Sequence, residues 1–374
     1  MKTFTLPAIL LALCIMLQSA AYSAGIQEAD RDADYPWPGL EATSVLADED
    51  MPELDGKAVL LYDRDNDMLI CGRNLDERLY PASLTKVMTC LLALEYGGFN
   101  DTVTVTESAL AMMDPDGSSA DLRVGEQYTL EQLLYCLMVK SANDAALVIA
   151  EYLGGSVNGF VWRMNERAAE LGCTGTHFTS PHGMHDEDHY STARDLARIT
   201  MAALEYDLFP VLWGTDSYTL PKTEAREERI LYSTNYLTSI LVTNEYYDSR
   251  VTGGKTGFTT PAGRCVICTA YADEHRYLAV VLGASSTDSM GKMIYGGFTT
   301  VSAMLDWVSN FDVEAYRAAK IEARDRVTVW TLSPLATAWL IRRQNQDGRS
   351  LPHRQVITVQ SRHERFEENQ TETE

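Results

Sequence analysis

The sequence lacks an excess of positive charge. Its 31 Lys and Arg residues face 53 Asp and Glu, a formal net charge of −22. That balance argues against nucleic acid or an anionic membrane surface as the main partner, since both call for a basic face. Cysteine is sparse as well. Six of the seven lie beyond the N-terminal segment: Cys71, Cys90, Cys136, Cys173, Cys265 and Cys268. Their spacing fits no zinc module. Cys265 and Cys268 form a C-x-x-C by count, but they sit in a β-like run, where residues three apart face opposite sides. Small buried apolar side chains are the favoured reading, and disulfide pairing stays open. No internal repeat is present.

What is present is material for a sizeable core. Hydrophobic residues make up 45 % of 374, enough for one large domain or two modest ones. Residues 1–24 read as an export signal. Lys2 precedes an apolar run from Phe4 to Leu17, too short to span a bilayer comfortably, and small residues around Ala21, Ser23 and Ala24 offer cleavage. The expected location is therefore outside the cytoplasmic membrane, on the cell-wall side. Residues 25–55 form an acidic leader without periodicity.

Ala58 to Tyr62 and Met68 to Cys71 are short apolar strands around a polar turn, which predicts a hairpin. Leu84, Val87, Met88, Leu91 and Leu92 then carry helical spacing up to Gly97-Gly98. Thr129 and Gln132 form a capping-box pattern ahead of an apolar stripe. A break at Ser141-Ala142-Asn143 leads to a helix ending near Gly154-Gly155, and Ser156 caps another running to about Leu171. A further helix is expected over 192–206. Arg264 to Tyr271 and Tyr277 to Gly283 predict a second hairpin, and Val301, Met304, Leu305 and Val308 a closing helix. Strands at both ends with helices between predict an α+β domain over 56–311. Its antiparallel sheet is formed from both ends, beside a helical lobe. Residues 312–374 read as a short appendage. Within it, 354–374 is polar and reads as disordered. Val327 to Ile341 is either a packed segment or a membrane contact.

Three short motifs carry chemistry. Ser83-Leu84-Thr85-Lys86 opens the first strong helix, so Ser83 and Lys86 share a face. A serine hydroxyl needs a base, and lysine serves when burial or a neighbouring cation lowers its pKa. Lys255 could supply that cation. Backbone N–H groups at the helix start suit an oxyanion. Ser141-Ala142-Asn143 links two helices. Ser141 can relay a proton, and Asn143 can hold a substrate carbonyl, cap the next helix, or do both. Lys255-Thr256-Gly257 is expected to start a strand after Gly253-Gly254. Lys255 and Thr256 suit a terminal carboxylate, and Gly257 permits close backbone approach.

In context the triple resembles that of penicillin-binding proteins and class A β-lactamases. The strings Tyr80-Pro81-Ala82-Ser83-Leu84-Thr85-Lys86, Ser141-Ala142-Asn143-Asp144-Ala145-Ala146 and Gly254-Lys255-Thr256-Gly257-Phe258-Thr259 are similar to low-mass D-alanyl-D-alanine carboxypeptidases, the S11 serine peptidases. The 177–183 and 189–196 stretches resemble their central loop and helix. The resemblance implies a β-lactamase/transpeptidase-like fold and no cofactor. It implies removal of the terminal D-alanine from peptidoglycan stem peptides through a Ser83 acyl-enzyme. Lys86 would be the base and Ser141 the proton relay. Asn143 would orient the peptide, and Lys255 and Thr256 would bind the carboxylate. The backbone N–H of Phe258 would complete the oxyanion hole with that of Ser83. β-Lactams would be covalent inhibitors.

Three departures stand out. Ala142 replaces a frequent Gly, and Ser180 a frequent Asn. No arginine occurs between Arg276 and Arg317, where some relatives carry one for the carboxylate. Two rival readings remain. A class A-like β-lactamase would need an E-x-x-L-N string after the middle motif, and none occurs. A non-catalytic peptidoglycan-binding protein would not need all these side chains. His182, His185 and His189, near Asp186, Glu187 and Asp188, suggest a metal cluster. Yet His182 and His189 stand where the resembled loop often has histidine, and no metal is expected.

Overall fold

The computed structural model describes residues 37–41 and 52–310. The expected export signal, most of the leader and the C-terminal appendage lie outside the described residues.

The elements follow one another as β1 (Ala58–Asp63), β2 (Met68–Arg73), α1 (Lys86–Tyr96), β3 (Thr102–Thr104), α2 (Glu107–Leu110), β4 (Gln127–Thr129), α3 (Leu130–Met138), α4 (Asn143–Gly154) and α5 (Val157–Glu170). Then come α6 (Ala193–Ala203), α7 (Leu208–Gly214), β5 (Ser217–Leu220), β6 (Arg229–Tyr232), β7 (Val251–Thr259), β8 (Gly263–Ala272), β9 (His275–Ala284) and α8 (Gly296–Asn310). The main sheet is antiparallel in the order β2-β1-β9-β8-β7. The N-terminal hairpin thus completes a C-terminal meander, with Ala58 opposite Leu282 and Asp63 opposite Tyr277. The expected sheet from both ends of the domain is observed.

Every residue of β1 is buried, as a strand covered on both faces requires. One face carries α8, whose Val301, Met304, Leu305 and Val308 are buried. The other carries α6 and, beyond it, α1. Residues 86–94 of α1 are all buried, so this helix is surrounded by the lobe rather than laid on its surface. The Thr129 capping box and the Ser156 and Thr192 caps form as expected. In the β8–β9 hairpin, Asp273 and Glu274 both have positive φ, as a tight two-residue turn needs.

Two local expectations are corrected. Residues Ala82–Thr85 form a 3₁₀ turn, and α1 begins only at Lys86. Ala82, at a φ of +48°, turns the chain just before Ser83. The Lys255 motif lies inside β7, because Gly253 and Gly254 are themselves part of that strand. Periodicity missed α2, α7 and the two small ribbons β3–β4 and β5–β6, which run only three to seven residues each. All six cysteines are free and buried. Cys265 and Cys268 are both covered because β8 is interior to the sheet. Among the described residues no single helix is long and apolar enough to cross a membrane.

Candidate active site

β7 is the exposed edge of the sheet, and the Ser83 turn packs directly against it. The approach requires glycine at 257. A Cβ there would lie 2.9 Å from the Ser83 backbone nitrogen and 3.0 Å from the Pro81 carbonyl oxygen. Gly183 plays the same part from the other side, since a Cβ on it would strike the Ala82 carbonyl. The Ser83 turn is therefore wedged between β7 and the 177–190 loop.

Lys86 Nζ lies 2.9 Å from Ser83 Oγ and donates to the His182 carbonyl at 2.8 Å. Its side chain is fully buried. Burial holds its pKa well below the ordinary lysine range, and the charge of Lys255 pushes the same way, while Asp144 opposes. A neutral amine beside a serine hydroxyl is a general base for that serine. Lys255, also buried, places its Nζ 2.8 Å from Ser141 Oγ and 2.9 Å from the Thr256 carbonyl. Burial lowers its pKa to about 7. The two lysines thus face two serines in pairs.

Ser141 has a φ of +60°, costly for a residue with a side chain. Both serine turns therefore contain a strained residue. Asn143 is the first residue of α4 and makes no cap; the N-cap is Ala142, without a side-chain bond. The expectation that Asn143 also caps the helix is corrected. Its backbone N–H donates to the Ser118 carbonyl at 2.7 Å.

Four of the seven expected site residues line one cleft: Ser83, Ser141, Thr256 and Phe258. Lys86, Lys255 and Asn143 are buried around it. All seven are brought together. Several partners were not legible in the sequence. Thr234, from the loop before β7, bonds Thr256 Oγ1 at 2.7 Å. Asp144, one residue past Asn143, accepts from Ser119 Oγ at 2.5 Å, Ala120 N at 3.1 Å and Leu122 N at 3.0 Å. It pins the 118–122 segment beside the cleft. Only its place within the middle motif could have signalled it.

The histidines are engaged individually. His182 Nδ1 accepts from Met184 N, and its ring is held at a pKa of about 3 by burial and by Lys86. His189 bridges Thr85 Oγ1 at 2.7 Å and Thr179 N at 3.0 Å, and burial lowers its pKa to about 4. His185 packs edge-on against Tyr80. These contacts brace the 177–190 loop that carries the carbonyl for Lys86.

The family model described as D-alanyl-D-alanine carboxypeptidase, peptidase S11, matches residues 45–286. D-alanyl-D-alanine carboxypeptidase DacF of Bacillus subtilis is 36 % identical over 250 residues, 65 % of this chain and 60 % of that protein. DacC of Escherichia coli is 32 % identical over 249 residues, 63 % of this chain and 58 % of its own length. The chain thus spans about 60 % of the length of these curated relatives. Among solved structures, a D-alanyl-D-alanine carboxypeptidase from Mycobacterium tuberculosis superposes with a TM-score of 0.61 at 26 % identity, covering 70 % of this chain and 94 % of that one. The Streptomyces K15 DD-transpeptidase gives 0.61 at 26 % identity, covering 69 % and 98 %.

Proposed function

The chain belongs to the S11 family of D-alanyl-D-alanine carboxypeptidases, and from that premise we propose that it removes the terminal D-alanine from peptidoglycan stem peptides through a Ser83 acyl-enzyme. The observation that carries this is the pairing of Ser83 with a fully buried Lys86 at 2.9 Å, beside a second pair, Ser141 and Lys255, at 2.8 Å.

Ser83 Oγ attacks the carbonyl between the two D-alanines and gives its proton to Lys86. The N–H groups of Ser83 and Phe258 take the oxyanion. The proton returns through Ser141 to the amine of the departing D-alanine. Asn143 orients the peptide, and Lys255 with Thr256 meets its terminal carboxylate. Water then attacks the acyl-enzyme and frees Ser83. A β-lactam acylates the same serine and leaves slowly. Among the described residues no Asp or Glu lines the cleft to act as a base for deacylation, which favours a peptidase over a β-lactamase. The N-terminal pattern of Lys2, an apolar run and small residues supports action on the outer side of the cytoplasmic membrane.

The test is D-alanine release from a pentapeptide ending in D-Ala-D-Ala, with Ser83→Ala alongside. Wild type should release D-alanine and Ser83→Ala should fall by about 10⁴-fold or more. Covalent penicillin labelling without release would keep the serine site and replace the substrate. Neither labelling nor release would put a non-catalytic wall-binding role in its place.

A further inference from the structure

The reaction proposed above needs a means of recognising the end of the peptide, and the inference drawn here rests on that reading. The chain is strongly acidic, with 53 acidic against 31 basic residues. Yet among the described residues the cleft at Ser83 is lined by no carboxylate and by one guanidinium, that of Arg264. Arg264 lies opposite Phe258 across β7 and β8, and Thr256 lies opposite Val266. Thr256, Phe258 and Arg264 therefore leave the same face of the sheet.

The guanidinium lies against two rings. Its central carbon is 4.4 Å from the Phe258 ring centre and 4.1 Å from that of Tyr295, just before α8. Tyr295 is itself stacked on Phe298, which also lines the cleft, at 5.3 Å between centres. Both rings lie within cation–π reach of the guanidinium, and its N–H groups remain donors. Among the described residues no side chain pairs with that edge, and the buried Nε–H has no acceptor. A cation held this rigidly has lost little freedom still to lose on binding, and its planar edge matches a carboxylate through parallel N–H···O bonds.

We propose that Arg264 is the specificity-determining residue for the free C-terminal carboxylate of the substrate, acting beside Thr256 and positioned by Phe258 and Tyr295. The cation absent after β9 is thereby supplied from β8. It follows that the enzyme discriminates against peptides whose last residue is amidated.

The experiment compares a peptide ending in D-Ala-D-Ala with the same peptide ending in its amide, using the full chain as wild type, Arg264→Gln and Arg264→Lys. Arg264→Gln should lower kcat/KM for the free acid about 10- to 100-fold, mainly through KM, and leave the amide within about twofold. Arg264→Lys should recover part of the loss. Tyr295→Ala should lose selectivity in the same sense while Tyr295→Phe keeps it, which carries the comparison if Arg264→Gln fails to fold. Equal loss on both peptides, or loss on neither, overturns the proposal. A wild type that cleaves acid and amide equally overturns it while leaving the carboxypeptidase reading intact. A wild type that cleaves neither and binds no penicillin removes both.

Discussion

The two walls of the cleft are built differently. The lobe wall, from Ala82 to Lys86 and from Ser141 to Asp144, is made of turns that run into the first residues of α1 and α4. Ala82 and Ser141 both sit at positive φ, and Lys86, Asn143 and Asp144 beside them are buried. The sheet wall, from Lys255 to Phe258, is regular strand whose register with β8 is unbroken from Gly253 to Thr259. In the proposed reaction the lobe wall supplies the nucleophile, its base, the proton relay and Asn143, and the sheet wall supplies the carboxylate-binding side chains and one oxyanion donor. A nucleophile has to project from the backbone at an angle that helix and strand do not offer, and such a turn persists only if its surroundings over-determine it. A peptide end needs a straight edge with side chains at fixed intervals, which a strand supplies without strain.

The sharpest way to break this contrast is Lys86→Gln. If the lobe wall carries the chemistry, kcat/KM should fall by about 10³- to 10⁴-fold, with little change in the apparent affinity for a substrate analogue. A loss confined to KM would mean that Lys86 belongs with the binding wall. Asp144→Ala asks whether the strained wall is held by its buried network. It leaves the Ala120 and Leu122 N–H groups without their acceptor, so stability should drop by about 3 kcal/mol and penicillin acylation should slow. Unchanged thermal unfolding would show that the 118–122 segment holds itself.

The smallest effect separates the two lysines by pH. Lys255 is depressed to about 7 by burial, so its positive charge is present below pH 7 and lost above it. Carboxylate binding should weaken as pH rises through about 7, giving kcat/KM an alkaline limb there. In the proposed reaction Lys86 acts in its neutral form, so its protonation gives the acid limb, well below the ordinary lysine range. Lys255→Arg keeps the charge and should erase the alkaline limb alone. A limb that survives the substitution assigns it to another group.

The contrast also explains what could be read in advance. The buried face of α1 was legible because Val87, Met88, Leu91 and Leu92 repeat with the helix period, and the β8–β9 hairpin because its apolar runs flank a polar turn. Ser83 and Lys86 were legible as a pair because three residues suffice for one side chain to reach the other. The 3₁₀ form of their turn was not, since it depends on Gly257 and Gly183 pressing from distant parts of the chain. Thr234 and Tyr295 lie in irregular segments with no period, and nothing local marks them as neighbours of Thr256 and Arg264.

The sequence by itself determined the α+β class, the helix caps, and the three motifs with the residue types their chemistry requires. These are local properties, set by spacing along the chain. Tertiary structure alone decided that β1 pairs with β9, that β7 is left as the open edge, and that two lysines from separate elements meet two serines in a buried space. It also decided that Arg264 lies against both Phe258 and Tyr295. The pKa of a lysine and the availability of a guanidinium depend on what surrounds them in space, and that is fixed only when distant segments close around the same cleft.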